Sequence, residues 1–524
     1  MGLGLIRIAG FGALAALGFA GAASAQTNAC TGLVGLKLDG GVVENATPLA
    51  ATDTIALGAP LPALPVGAPF CRVHARLKPT PTSDIQVEVW LPPASAWNGK
   101  LLSAGNGGYG GGFGGPFLLM RGGLARGYAG AGTDMGHTTA GDIDAKWALG
   151  QPEKIKDFGY RANHLTAVTA KALIKAYYGS AQKRAYFHGC SDGGREALME
   201  AQKFPEDYDG IIAGAPASPW SKLMSSFLWT DKVAHSLPEA SLTPAKLAIV
   251  QQAVLAQCDK LDGVADGIIE NPLACRFDPA VIQCKAGDAP NCLTAAQADT
   301  VRTLHRGLVG RDGRQVFNGY PPSGEGIPGA WDGWITGTTS SHGQFAREFF
   351  RYMVFDDATW DSKDFDILKG WGTARGKYAS ILDADNADLR PFTSRGGKLL
   401  MYQGWADAAI APANTIDYFT AVQGKLGAAS AGSARLFMVP GMSHCLTGPG
   451  PNVFDVVGAM DGWKETGTPP EQRIATKFDN DIFGYMGFPA KALRTRPLCA
   501  YPKVARWDGK GSTDAAASFS CAKP

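Results

Sequence analysis

Five consecutive residues, Gly189-Cys190-Ser191-Asp192-Gly193, have the types and spacing of a nucleophile on a tight turn. Residues 184–188, Arg-Ala-Tyr-Phe-His, predict a short buried strand before the turn. Residues 194–201 are rich in helix formers and predict a helix after it. Glycines flank the serine because a strand-to-helix turn leaves little room for side chains and strains its central residue. A serine hydroxyl is too weak an acid to attack an acyl carbon unaided. It needs a base to take its proton and a carboxylate to orient the base.

In α/β-hydrolases the chain order is serine, acid, histidine. His444 fits the base, since it lies in a loop just beyond the strand-like run 435–439. His342 sits in a Thr/Ser-rich stretch with no strand before it and reads as a polar loop residue. His235 and His305 fall in helix-like segments and read as surface or packing residues. The acid is Asp407, in the loop that follows the apolar run 398–402, with helix N-capping as its structural alternative. Asp417, within a helix-like segment, and Asp455, past the base, fit less well. An oxyanion needs two amide donors. The residue after the nucleophile, Asp192, supplies one, and the glycine-rich run 101–110 supplies the other, placed at Gly108.

Cys190 precedes the nucleophile and Cys445 follows the base. If Ser191 and His444 are within hydrogen-bond reach, these neighbours come close enough for a disulfide. The alternative is a buried thiol at Cys190 and a different partner for Cys445. The other eight cysteines fall into local couples, Cys30 with Cys71, Cys258 with Cys275, Cys284 with Cys292, and Cys499 with Cys521. Sequence does not prove that connectivity.

An even cysteine count suits export, and residues 1–25 read as a secretory signal: one basic residue (Arg7), an apolar stretch, then Ala-Ser-Ala. No later stretch is apolar enough to predict a membrane span. The charge balance is close to neutral, with 49 basic and 47 acidic residues. No basic patch suggests nucleic acid. A monomer in the periplasm or outside the cell is the expected state.

Ser191 and Asp407 stand 216 positions apart, more than a β-α unit or two requires. The expected architecture is therefore an α/β-hydrolase fold formed by residues 26–216 and 396–524. A lid domain, residues 217–395, is inserted between nucleophile and acid. It would lie over the carboxyl ends of the strands and contribute substrate contacts. Within it, Asp259, Asp262 and Asp266 crowd a loop with two glycines, which favours a hard cation such as Ca²⁺ in a structural role. A solvated acidic turn is the alternative.

The Gly-Cys-Ser-x-Gly-Gly elbow, the aspartate loop and the His-Cys pair together resemble the tannase and feruloyl esterase family. Members include tannases, feruloyl esterases and a mono(2-hydroxyethyl) terephthalate hydrolase. The resemblance runs over nearly the whole chain after residue 25. It implies a Cys190–Cys445 disulfide and a lid calcium bound by the carboxylates of Asp259, Asp262 and Asp266 and the carbonyls of Val264 and Ile268. It also implies esters of aromatic acids as substrates, with Trp334 packing on the acid or else serving the lid core. Asp192, Gly107, Gln403 and Ile410 depart from the terephthalate enzyme at positions expected to line the pocket, so feruloyl or galloyl esters are the first expectation. A serine peptidase and a non-catalytic binding protein are the rivals.

Overall fold

The computed structural model describes residues 28–56 and 63–524; the signal expected over residues 1–25 lies outside them. A ten-stranded sheet organises the chain. Its strands are β1 (Lys37–Leu38), β2 (Gly41–Leu49), β3 (Phe70–Leu77), β4 (Ile85–Leu91), β5 (Lys100–Ala104), β6 (Ala129–Thr133), β7 (Arg184–Cys190), β8 (Gly210–Gly214), β9 (Lys398–Gly404) and β10 (Ala434–Val439). They lie in the order β1-β2-β3-β4-β6-β5-β7-β8-β9-β10. The first four pair antiparallel, and β4 meets β6 antiparallel. From β6 to β10 every pairing is parallel. The fold is mixed α/β with a large, mostly parallel sheet.

Residue pattern explains the division. In β3 burial alternates along most of the strand, as a strand with one wetter face requires. In β8 and β9 nearly every residue is buried, because helices cover both faces of a parallel sheet. Side chains of successive residues point to opposite faces. Leu101, Phe187, Ile211 and Leu399 accordingly enter one core, while Leu102, Tyr186, Ile212 and Leu400 enter another across the sheet.

Register brings three strand ends together. Gly214 of β8 pairs with Cys190 on one side and Tyr402 on the other, and Gly404 pairs with Val439. The loops carrying Ser191, Asp407 and His444 therefore leave the same edge of the sheet. Between β8 and β9 the chain departs from the sheet and forms helices that include α1 (Trp220–His235) and α2 (Ser341–Glu348). Part of this segment builds its own core around Leu247, Val250, Val254, Val301, Trp331 and Ile335. Trp220, Met224, Phe227 and Phe345 instead join the principal core, so the segment is anchored to the sheet rather than tethered beside it.

Among the described residues no helix is long and apolar enough to cross a membrane. All ten cysteines are paired, in the five couples expected. Leu400, fully buried between β8 and β10, reports on the integrity of the sheet. Leu400→Ala is expected to lose about 3 kcal/mol in urea unfolding with disulfides intact.

Candidate active site

Ser191 is held between β7 and the helix α3 (Asp192–Lys203) with φ of 64° and ψ of −122°. L-residues rarely adopt such a backbone, and it persists because its surroundings leave no alternative. A Cβ on Gly189 would lie 2.3 Å from the Gly193 carbonyl oxygen, and a Cβ on Gly193 would lie 2.7 Å from that of Asn106. Strand, helix and glycine-rich loop thus approach at backbone distance, and the serine side chain projects from the crest.

His444 Nε2 lies 2.9 Å from Ser191 Oγ, and His444 Nδ1 lies 2.9 Å from Asp407 Oδ2. An ionised carboxylate only accepts, so Nδ1 carries the proton and Nε2 is left to accept from the serine hydroxyl. Such a chain is arranged to pass a proton from hydroxyl to imidazole. Asp407 is buried, and its Oδ1 accepts the amides of Ala409 and Ile410 at 2.8 and 2.9 Å. This turn-capping role accompanies the contact with His444. The N-cap of the following helix, α4 (Pro412–Leu426), is Ala411.

Two neighbours support this carboxylate. Gln403 Nε2 donates to Asp407 Oδ2 at 2.8 Å, while Gln403 Oε1 accepts from Thr415. Gln403 is fully buried behind Asp407 and is not among the residues lining the cavity beside Ser191, which corrects the expectation that it lines the substrate pocket. Its position at the end of β9, four residues before the acid, was the available signal. His342 corrects a second reading. It begins α2 in the interior, stacked on Phe227 at 3.9 Å, with Nε2 donating to the Ala409 carbonyl at 3.0 Å. Burial pushes its pKa down to about 3, so it is a neutral clamp on the turn that holds Asp407. His305 packs against Glu325. His235 is partly exposed, and its hydrogen bond with Asp231 pushes its pKa up to about 9.

Cys190 and Cys445 are bridged, with Cα atoms 6.0 Å apart. The bond joins the residue before Ser191 to the residue after His444, which itself has φ of 65°. Gly108, Ser191, Asp192 and Trp334 line one narrow cavity. Its walls include Trp220, Leu223, Met224, Phe227, Phe345 and Ile410. The Trp334 ring meets His444 edge-on at 5.3 Å and lies parallel to Phe345 at 6.1 Å, so it borders both the cavity and the histidine. As the first residue of α3, Asp192 has an amide without an intrahelical acceptor. Its carboxylate forms a fully buried ion pair with Arg195.

The aspartate loop does not line this cavity. Asp259 accepts from the amides of Asp266 and Gly267, and Asp262 accepts from that of Val264. Asp266 pairs with Arg496 and Arg494. Among the described residues no three His, Cys, Asp or Glu side chains are gathered as a metal cluster. The donors are nonetheless hard oxygens. Burial, with Asp266 nearby, raises the Asp262 carboxyl, and burial carries Glu270 to about 8. Hard oxygens of this kind are the donors a calcium ion takes, and Asp266 already has two guanidinium partners.

A profile of the family described as tannase and feruloyl esterase matches residues 71–522. The chain is 38% identical to an uncharacterized esterase of Xanthomonas campestris pv. campestris, over 97% of this chain and 93% of that one. It is 34% identical to the mono(2-hydroxyethyl) terephthalate hydrolase of Piscinibacter sakaiensis, over 84% and 82% of the two chains. The crystal structure of feruloyl esterase B from Aspergillus oryzae superposes with a TM-score of 0.84 at 28% identity, covering 95% of this chain and all of that one.

The disulfide generates a prediction. A Cys190→Ala, Cys445→Ala variant is expected to lose turnover at least about tenfold at temperatures where circular dichroism shows it folded, because small displacements of a base cost large factors in rate. Wild-type turnover would show that the bridge does not position His444.

Proposed function

The chain belongs to the tannase and feruloyl esterase family and is a carboxylic ester hydrolase, and on that premise we propose that it cleaves esters of aromatic carboxylic acids through Ser191, His444 and Asp407. The observation that carries this reading is the unbroken hydrogen-bond chain linking those three side chains. Ser191 Oγ attacks the ester carbonyl while His444 Nε2 takes the hydroxyl proton. Asp407 holds the imidazole in the required tautomer and stabilises its positive charge. The amides of Gly108 and Asp192 receive the developing oxyanion. His444 then returns the proton to the departing alcohol, leaving an acyl-enzyme. Water, deprotonated by the same imidazole, attacks that intermediate and frees the acid.

The acid moiety is assigned to the cavity beside Ser191, where Trp334, Phe227 and Phe345 offer aromatic surface to a ring. Feruloyl or galloyl esters are the first choice. Mono(2-hydroxyethyl) terephthalate is the second, supported by the 34% identity to its hydrolase. In fold terms the chain reads as an α/β-hydrolase whose segment 217–395 is a lid, since that segment contributes Trp334, Phe227 and Phe345 to the cavity wall. Five disulfides support export to an oxidising compartment, with residues 1–25 as the signal.

Calcium belongs to the same proposal. Asp259, Asp262 and Asp266, with the carbonyls of Val264 and Ile268, would hold it and gain charge neutralisation. No step of the hydrolysis passes through it.

Two experiments test these readings. Turnover of methyl ferulate, methyl gallate, mono(2-hydroxyethyl) terephthalate and a matched amide is expected to favour an aromatic ester. Ser191→Ala should lower kcat at least about 10⁴-fold. Near-wild-type turnover by folded Ser191→Ala would overturn the mechanism, and preference for the amide would overturn the substrate class. Exhaustive chelation should lower Tm by about 2 °C or more, because a ligand bound only by the native state stabilises it. An unchanged melting curve removes the calcium.

A further inference from the structure

Beneath the elbow lies a buried carboxyl group that the proposed mechanism does not use. Glu196 is one turn into α3 and almost completely buried. Its Oε1 accepts the Asn106 amide at 3.1 Å, and its Oε2 accepts the Asn163 side-chain amide at 3.0 Å. Asn106 is the residue two before Gly108, and its carbonyl accepts the Gly193 amide of α3 at 2.9 Å. Glu196 therefore closes a second link between the glycine-rich loop and the helix. On its other side is Asp192. One Asp192 oxygen is paired with Arg195, whose remaining bonds go to the carbonyls of Gly159 and Phe158. The other oxygen, Oδ2, is buried and accepts nothing from any N–H or protein hydroxyl. A buried carboxylate oxygen without a donor is costly, and Glu196, four residues further along α3, shares the helix face of Asp192.

We propose that Glu196 is a positioning residue for the oxyanion site: as a neutral carboxylic acid it grips the Asn106 amide and donates its proton to Asp192 Oδ2. One side chain then holds the loop that presents Gly108 and the residue whose own amide is the second donor. A protonated carboxyl can do both, because it has one O–H and keeps acceptor capacity. Its surroundings favour that state. Burial and the Asp192 carboxylate push the Glu196 carboxyl far above its ordinary range, with Arg195 opposing. Glu200, one turn further along α3, adds no positive charge. From the other packed elements, Asn106 and Asn163 present only neutral groups. The proposal rests on the assignment of Gly108 and Asp192 as oxyanion donors.

Glu196→Gln and Glu196→Leu, compared with wild type and Ser191→Ala, test it. An amide keeps the neutral charge, accepting through its oxygen and donating through its NH2 to Asp192 and to an Asn163 side-chain amide turned over to present its oxygen. Leucine fills a similar space and can do neither. Steady-state kinetics on the best ester, the rate of Ser191 labelling by a phosphonate and Tm are the readouts. Glu196→Gln is expected to keep kcat within about threefold of wild type. Glu196→Leu should lose about 10²-fold in kcat and in labelling rate with KM little changed, the size of effect seen when an oxyanion donor is misplaced.

A Glu196→Gln variant with wild-type Tm but a kcat as low as that of Glu196→Leu would overturn the proposal, since the charge would then be what matters. Wild-type kcat in Glu196→Leu would overturn it equally. If the leucine variant does not fold, the glutamine variant decides alone: retained kcat supports the proposal and lost kcat refutes it. Ser191-independent turnover would instead sink the catalytic reading and leave the packing of Glu196 intact.

Discussion

The close approach of α3 to β7 and to the glycine-rich loop is the constraint on which the rest of the site depends. At Gly189 and Gly193 the gap is narrower than a methyl group, so the three backbones touch. That contact forces Ser191 into the left-handed region and aims its side chain away from the sheet. It also sets Asp192 at the first turn of a helix, where its amide has no internal partner. Widening the gap would release the backbone strain, and with it the direction of the hydroxyl and the register between the elbow and the loop bearing Gly108.

His444 and Asp407 are held by a separate set of contacts. His444 comes from a loop after β10, a strand that does not pair with the β7 strand carrying the elbow. The Cys190–Cys445 bond supplies the covalent link. Asp407 depends on a buried polar frame: two amides of its own turn, Gln403 below it, and His342 from α2 clamping the Ala409 carbonyl. Through His342 the segment between β8 and β9 braces the turn of Asp407 as well as lining the cavity. Buried polar networks of this kind are worth having only when each member finds a partner. Glu196 meets that condition for Asp192 as a neutral acid.

Much of this was legible in the residues. The elbow pattern, the strand-like runs ahead of Asp407 and His444, and the order of the three along the chain located every member of the hydrogen-bond chain. The local couples of cysteines matched the pairing observed. Legibility failed where a residue's role depends on a partner distant in sequence. His342, read as a loop residue from its Thr/Ser-rich neighbours, is an interior histidine because Phe227 and Ala409 arrive from elsewhere. The resemblance places Gln403 in the pocket, yet it lies behind Asp407 because side chains alternate along β9.

Local pattern by itself determined which stretches are strands, which serine stands on a strained turn and which carboxylate and imidazole follow strand ends, because turn geometry and burial period are written in neighbouring residues. Only the tertiary structure decided how those strand ends align, which buried carboxyls share partners and which aromatic rings close over Ser191. Those outcomes depend on sheet order and on contacts between segments more than two hundred residues apart, such as Ser191 with His444. No local propensity encodes such a distance. Packing of the whole chain sets it.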